Sequence, residues 1–151
     1  MSWKLCRRTN PQSEQGWTFV ETIIVIAIIL ILTGTVGFIA FRYIDSAKQV
    51  AARTQIETFS VALSSYLFDN GGYPTQEQGL SALWQKPNTA PIPSNWRGPY
   101  IEKPVPNDPW GHPYQYIVPG PSGLPFGVSS LGSDGLEGGE GNAKDITSWD
   151  Q

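Results

Sequence analysis

Glu21 is an acidic residue placed at the start of a long apolar segment. Residues 22–41 contain no charged side chain, and residues 23–32 consist only of Ile, Leu, Val and Ala. Because each helical residue rises about 1.5 Å, this segment measures roughly 30 Å, the thickness of a bilayer's hydrocarbon core. A carboxylate beside hydrocarbon is costly unless a cation pairs with it. No Lys or Arg lies within one helical turn of Glu21, so its partner must come from elsewhere.

A cleavage site ahead of the apolar segment would supply that cation. Residues 1–16 are polar and carry three basic side chains, which favours a cytoplasmic N-terminus. An ordinary secretory signal places its small cleavage residue after the apolar core, whereas here Gly16 comes before it. Cleavage after Gly16 would leave the apolar helix on the mature chain and create an α-amine at Trp17, four residues from Glu21. The amine could pair with Glu21 of the same chain or of a neighbouring parallel helix.

A second candidate site is the acidic, glycine-rich segment of residues 131–145. It holds four carboxylates among five glycines: Asp134, Glu137, Glu140 and Asp145. Glycine lets backbone carbonyls turn inward, and Ca²⁺ takes about 6–8 oxygen ligands from carboxylates, amides and carbonyls. The spacing does not match an EF-hand, and a solvated acidic turn is the alternative that this pattern leaves open.

Other chemistry has little support in the sequence. The only histidine, His112, lies between Gly111 and Pro113, which favours a surface or turn-stabilising role. No nucleophile elbow, zinc spacing, phosphate loop or dinucleotide fingerprint is present, so we expect no enzyme. Without residues 1–16 the chain keeps 7 basic and 12 acidic residues, which argues against a nucleic-acid partner. The single cysteine, Cys6, excludes an intramolecular disulfide.

The elements that position these residues begin with one long helix. No proline interrupts residues 20–68, and after Arg42 apolar residues recur at three- and four-residue steps, which predicts a helix with one covered face. Gly71, Gly72 and Pro74 are expected to end it. The predicted covered stripe comprises Ile44, Ala47, Ala51, Ile56, Phe59, Leu63, Tyr66 and Leu67.

The remainder is rich in proline and glycine and predicts short elements. A short helix is expected over residues 75–84, with Thr75 as its cap. Residues 114–118 alternate and are rich in β-formers, and residues 126–130 form a second candidate strand. A small antiparallel sheet covering the amphipathic helix is therefore predicted.

Residues 16–21, Gly-Trp-Thr-Phe-Val-Glu followed by the Ile/Leu run, resemble the class III signal of type IV pilins and type II secretion pseudopilins. The resemblance implies that a prepilin peptidase cuts after Gly16 and methylates the amine of Trp17, and that Glu21 guides subunit assembly. Trp17 stands where this family usually has Phe.

The distal half narrows the resemblance to the major pseudopilins, the G subunits of type II secretion. The similar phrases are residues 73–83, 98–101, 108–116 and 130–139. They imply a pilin-like α+β fold, in which a long N-terminal transmembrane and amphipathic helix packs on a small antiparallel sheet with a loop-rich C-terminal region. The implied segments are a cleaved cytoplasmic leader (1–16), a transmembrane helix (17–41), an amphipathic periplasmic continuation (42–70) and a periplasmic head (71–151).

The same resemblance implies a Ca²⁺ site in residues 131–145. Carried over, side-chain oxygens come from Asp134 and Asp145, and backbone carbonyls come from Leu131 and Leu136. Asn142 is a weaker candidate ligand. The family often has an acidic or amide residue where Ala143 stands, so a water could replace one ligand.

The implied function is that of the major subunit of a periplasmic pseudopilus, which polymerises to drive folded proteins across the outer membrane. Its implied partners are further copies of itself, minor pseudopilins, the prepilin peptidase, the inner-membrane assembly platform and, before assembly, membrane lipid. The expected location is the inner membrane, single-pass, with a periplasmic C-terminal domain. Two alternatives stay open: a type IV pilin for adhesion, motility or DNA uptake, and a membrane-tethered periplasmic binding or hydrolytic domain.

Overall fold

The computed structural model describes residues 17–150, apart from the side chains of residues 35–42. The predicted leader, residues 1–16 with the cleavage residue Gly16, lies outside the described residues. The chain forms two compact units, one extending to Ala40 and the other beginning at Phe41. The two units are therefore described one at a time.

The first regular element is helix α1, Phe19–Asn70, with 52 residues. Thr18 caps its start, because the Thr18 hydroxyl oxygen accepts a hydrogen bond from the Glu21 amide at 3.2 Å. At the other end Gly71 adopts a φ of 75° and its amide donates to the Leu67 carbonyl at 2.8 Å. This left-handed glycine closes the helix where the sequence predicted.

Within the first unit, the large apolar side chains between Phe19 and Leu32 are mostly exposed. Among the residues that the structure describes, no helix combines the length and the hydropathy needed to cross a membrane. The predicted membrane segment of residues 17–41 includes residues 35–41, whose side chains lie outside the description.

In the second unit, one face of α1 forms the floor of the core. Ala52, Phe59 and Leu63 are completely buried, and Ile56 and Tyr66 are nearly so. The predicted stripe is therefore correct from Ile56 to Tyr66, and Leu67 is half-buried. It is wrong at its start: Ile44, Ala47 and Ala51 are exposed, because the buried cluster contacts the helix only from Ala52 onward.

A three-stranded antiparallel sheet lies in the same unit. Its strands are β1 (Gln115–Ile117), β2 (Gly127–Ser130) and β3 (Ile146–Thr147), in the order β1-β2-β3. Tyr116 pairs with Val128 and Ser129 with Thr147. The two predicted strands and their antiparallel pairing are confirmed, whereas β3 was not predicted. All four residues of β2 are buried because β2 is the central strand.

Between helix and sheet, irregular chain is held by side-chain hydrogen bonds to the backbone. The predicted short helix is a single 3₁₀ turn, Leu80–Leu83. Thr75 does cap the turn before it, since its hydroxyl accepts from the Gln78 amide at 3.2 Å. The buried Gln78 amide group donates to the carbonyls of Thr89 and Pro91. Two more 3₁₀ turns cover Pro121–Gly123 and Gly141–Ala143.

Candidate functional site

Glu21 lies in the first turn of α1 and Trp17 lies two residues before the helix begins, at the position predicted for the assembly site. Glu21 is in the first helical turn, and both side chains are exposed in the single chain. A carboxylate there interacts favourably with the partial positive charge of the helix N-terminus. Gly16 lies outside the described residues, so the pairing of a Trp17 amine with Glu21 stays a prediction.

Asp145 organises the acidic loop of residues 131–145. Its Oδ2 atom accepts a hydrogen bond from the Gly138 amide at 2.9 Å, and its own amide donates to the Gly138 carbonyl at 3.2 Å. Its Oδ1 atom is buried without a hydrogen-bond partner. A buried carboxylate oxygen without a donor is costly and calls for a further partner.

The predicted ligands Asp134 and Leu136 contact each other within the loop. The Asp134 Oδ1 atom accepts from the Leu136 amide at 3.1 Å, which closes a tight local turn. A surface cleft is lined by Leu131 and Asp145 of the predicted set. Glu137 lines the same cleft, although the sequence did not single it out as a ligand.

Asn142 is directed toward helix α1. Its side-chain amide donates to Asp45 Oδ2 at 2.6 Å. The Gln49 amide group donates to the Gly141 carbonyl at 3.0 Å and to Asn142 Oδ1 at 3.4 Å. Both ends of the Asn142 amide are thus engaged by helix residues, and these contacts tie the acidic loop to α1.

Two glycines make the loop possible. Gly132 and Gly139 have φ values of 64° and 83°, which favour glycine. A Cβ atom at either position would lie 2.8 or 2.4 Å from the Ala143 carbonyl oxygen. The backbone at both glycines therefore lies close to residue 143. A larger residue at either position would have to displace the Ala143 carbonyl.

The base of the loop rests on a buried carboxylate that the sequence did not identify. Asp108 accepts from the amides of Trp110 and His112 at 3.1 and 2.8 Å and from the Ser130 hydroxyl at 2.6 Å. The His112 ring nitrogen Nδ1 lies 3.2 Å from the Gly132 carbonyl oxygen. The surface or turn-stabilising role of His112 stays a prediction. The turn-forming residues 107–113 were the feature of the sequence from which a role for Asp108 could have been predicted.

Burial and the Asp108 charge also act on a tyrosine of the core. Together they raise the pKa of Tyr114 from 10.0 to about 12, with burial the larger cause. Burial likewise raises the pKa of Tyr116, whose hydroxyl donates to the Pro74 carbonyl at 2.9 Å. Ionising either ring would place a charge in the core, so both stay neutral over the physiological range.

The donor chemistry of the loop determines which group it can hold. Within residues 17–150, no three or more His, Cys, Asp or Glu side chains come close enough to hold a metal ion together. A cation in this loop would therefore depend on backbone carbonyls as well as on carboxylates. The buried, unpartnered Asp145 Oδ1 atom fits a hard cation, which prefers oxygen ligands.

Comparison with known proteins agrees with this architecture. Residues 40–149 match the family model described as type II secretion system protein G. The chain is 42% identical over 139 residues to the type II secretion system core protein G of Pseudomonas aeruginosa, covering 92% of this chain and 97% of that relative. The corresponding protein of Vibrio cholerae is 43% identical over 139 residues, covering 91% of this chain and 93% of the relative.

A solved structure is similar as well. The crystal structure of the major pseudopilin from the type 2 secretion system of enterohaemorrhagic Escherichia coli superposes with a TM-score of 0.60 and 38% sequence identity. The superposition covers 70% of this chain and 89% of the other. Sequence and fold therefore lead to the same group of proteins.

Proposed function

Because this chain belongs to the type II secretion system protein G family and is a pseudopilus subunit, we propose that its polymerisation drives the export of folded proteins. The chain's role is structural and not catalytic. The pseudopilin head is periplasmic, and the apolar start of α1 holds each subunit in the inner membrane before assembly. The uninterrupted helix α1, with its exposed apolar residues from Phe19 to Leu32, is the observation that supports this proposal most directly.

In this mechanism Glu21 sets the register of the assembly. A prepilin peptidase cleaves after Gly16, and the resulting amine of Trp17 neutralises Glu21 of a neighbouring subunit. Two charges that hydrocarbon disfavours then form one pair. The exposure of Glu21 in the isolated chain is what an intermolecular pair requires.

The register mechanism predicts a specific defect. Glu21→Ala should leave membrane insertion intact, because it removes a charge from an apolar segment, but should abolish filament formation and secretion. Membrane fractionation, filament imaging and exoprotein release measure the three steps. Glu77→Ala, which changes an exposed acid after the helix, is the matched control and should behave like the unchanged chain. Normal secretion by Glu21→Ala would refute the mechanism.

We further propose that the acidic loop binds Ca²⁺. The ligands are the carboxylates of Asp134 and Asp145 and the backbone carbonyls of Leu131 and Leu136. Asn142 is not included among them, because its side chain already bonds to residues of α1. Bound Ca²⁺ would neutralise part of the negative charge of the loop and hold its oxygen ligands together. Asp145 contributes its otherwise unpartnered Oδ1 atom. The acidic loop connects β2 to β3. Because the head has no disulfide, such a site would couple folding to cation binding.

Chelation tests the calcium site. A chelator should lower the melting temperature of the full chain in detergent, and Asp134→Ala should remove that sensitivity. Glu140→Ala is the matched control, since Glu140 is an exposed acid of the same loop outside the ligand set. Its variant should keep the response to chelation. If chelation changes no melting temperature, the loop is a turn without a cation.

A further inference from the structure

Strand β1 forms one edge of the three-stranded sheet. On its inner side it pairs with β2, where Ile117 lies opposite Gly127. Every second residue of an antiparallel strand directs its backbone groups away from the paired strand, so the Tyr116 carbonyl and the Val118 amide lie on the outer side of β1. Backbone groups on the outer side of an edge strand are a template on which another chain can add as a further strand.

The side chain of Gln76 bonds to this outer side. Its Nε2 atom donates to the Tyr116 carbonyl at 2.5 Å, and its Oε1 atom accepts a hydrogen bond from the Val118 amide at 3.1 Å. One residue of an added parallel strand would make the same two bonds on either side of Ile117, with its own amide and carbonyl. The carboxamide of Gln76 therefore takes the place that a residue of an added strand would occupy.

The strand is otherwise accessible on this side. Ile117 is 42% exposed, and β1 borders a surface groove. Within the part of the chain that the structure describes, the sheet has no further strand beside β1. Pro113 and Pro119 flank the strand and have no N–H group with which to extend a ladder. An added strand could therefore form a continuous ladder only with residues 114–118, and Gln76 covers part of that stretch.

We infer that Gln76 protects the edge of β1 from strand addition by a second copy of this chain. A pseudopilus subunit meets many identical heads at high effective concentration, and under that condition even a weak contact between edges forms. Each head presents the same short edge, whose backbone groups can pair with those of another copy. Because an incoming strand must first displace both hydrogen bonds of Gln76, this side chain makes such pairing less favourable.

Amide hydrogen exchange of the full chain in detergent tests the contact itself. Gln76→Ala should speed exchange of the Val118 amide roughly 3- to 10-fold, as expected for the loss of one hydrogen bond. The Ile117 amide lies on the side that pairs with β2 and should keep its rate. Gln85→Ala is the matched control, because Gln85 is an exposed glutamine that does not line the groove. An unchanged rate at Val118 in Gln76→Ala would overturn the inference.

Analytical ultracentrifugation of the same variants tests the protection. Gln76→Ala should show a larger associated fraction than the unchanged chain and than Gln85→Ala, since the contacts made by α1 are the same in all three. Adding Gln115→Lys to Gln76→Ala should return the associated fraction to that of the unchanged chain. Gln115 is an exposed residue of β1, and lysines on two edge strands that approach each other repel and oppose their pairing.

Two outcomes of the association experiment would refute the protective role. If Gln76→Ala speeds exchange at Val118 but associates no more than Gln85→Ala, Gln76 is a local contact only. If Gln76→Ala associates more and Gln115→Lys does not reverse the effect, the association comes from a loosened head and not from pairing of β1 edges. A denaturant titration should give Gln76→Ala the same midpoint with and without Gln115→Lys, so that stability does not account for the reversal.

Discussion

Replacing Asp108 by alanine should destabilise the head and loosen the base of the acidic loop. The carboxylate is 5% exposed and accepts from two backbone amides and from the Ser130 hydroxyl. Alanine leaves three donors without this acceptor, and Ser130 is completely buried. A buried donor left unpaired costs about 1–3 kcal/mol. The amides of Trp110 and His112 are only part-buried and can bond to water, so the cost for each of them lies at the low end of that range.

The expected loss is therefore about 3–4 kcal/mol in the free energy of unfolding. Denaturant unfolding of the full chain in detergent measures it. Asp108→Asn keeps the shape and one accepting oxygen for the amides of Trp110 and His112, so its loss should be clearly smaller. If Asp108→Ala unfolds with unchanged free energy, or if Asn is as damaging as Ala, the buried carboxylate does not support the loop in the way described.

Two further predictions concern the core. Phe59→Ala should cost about 3–5 kcal/mol of stability, because Phe59 is fully buried and packs edge-on against Tyr114 at 5.2 Å; Phe68→Ala on the exposed side should stay within about 0.5 kcal/mol in the same denaturant titration. Because the pKa of Tyr114 rises from 10.0 to about 12 on folding, the folded state holds this proton more tightly than the unfolded state. Its stabilising effect is complete below about pH 10 and is lost as the pH rises toward 12. Melting temperatures measured across that interval should fall less steeply for Tyr114→Phe, and equal slopes would contradict the assignment.

The long helix could be predicted because its signals are local. An unbroken run without proline, apolar periodicity and a terminal Gly-Gly-x-Pro are each sufficient in a short window. The two longer strands could be predicted for the same reason. β3 could not, since its two residues carry no periodicity and are defined only by pairing with β2.

The candidate sites also differ in whether their signals are local in the sequence. Glu21 and the acidic loop were visible because charge stands out against apolar or glycine-rich sequence. Asp108 and Ser130 were not, because their partnership joins residues 22 positions apart through the fold. The direction of Asn142 toward Asp45 joins residues 97 positions apart, and no local pattern reports such a contact.

The predicted buried stripe of α1 was wrong at Ile44, Ala47 and Ala51, and this error has a physical cause. Periodicity reports that a residue is apolar at helical spacing, but it does not report which neighbour covers it. Ile44 was assigned to the head-facing side, yet in the single chain it is about half exposed. Tyr43, Val50 and Phe68 add apolar surface on the side away from the core. A helix that serves only its own head needs one apolar face. The apolar side chains of α1 on the side away from the core are therefore not explained by packing within the chain.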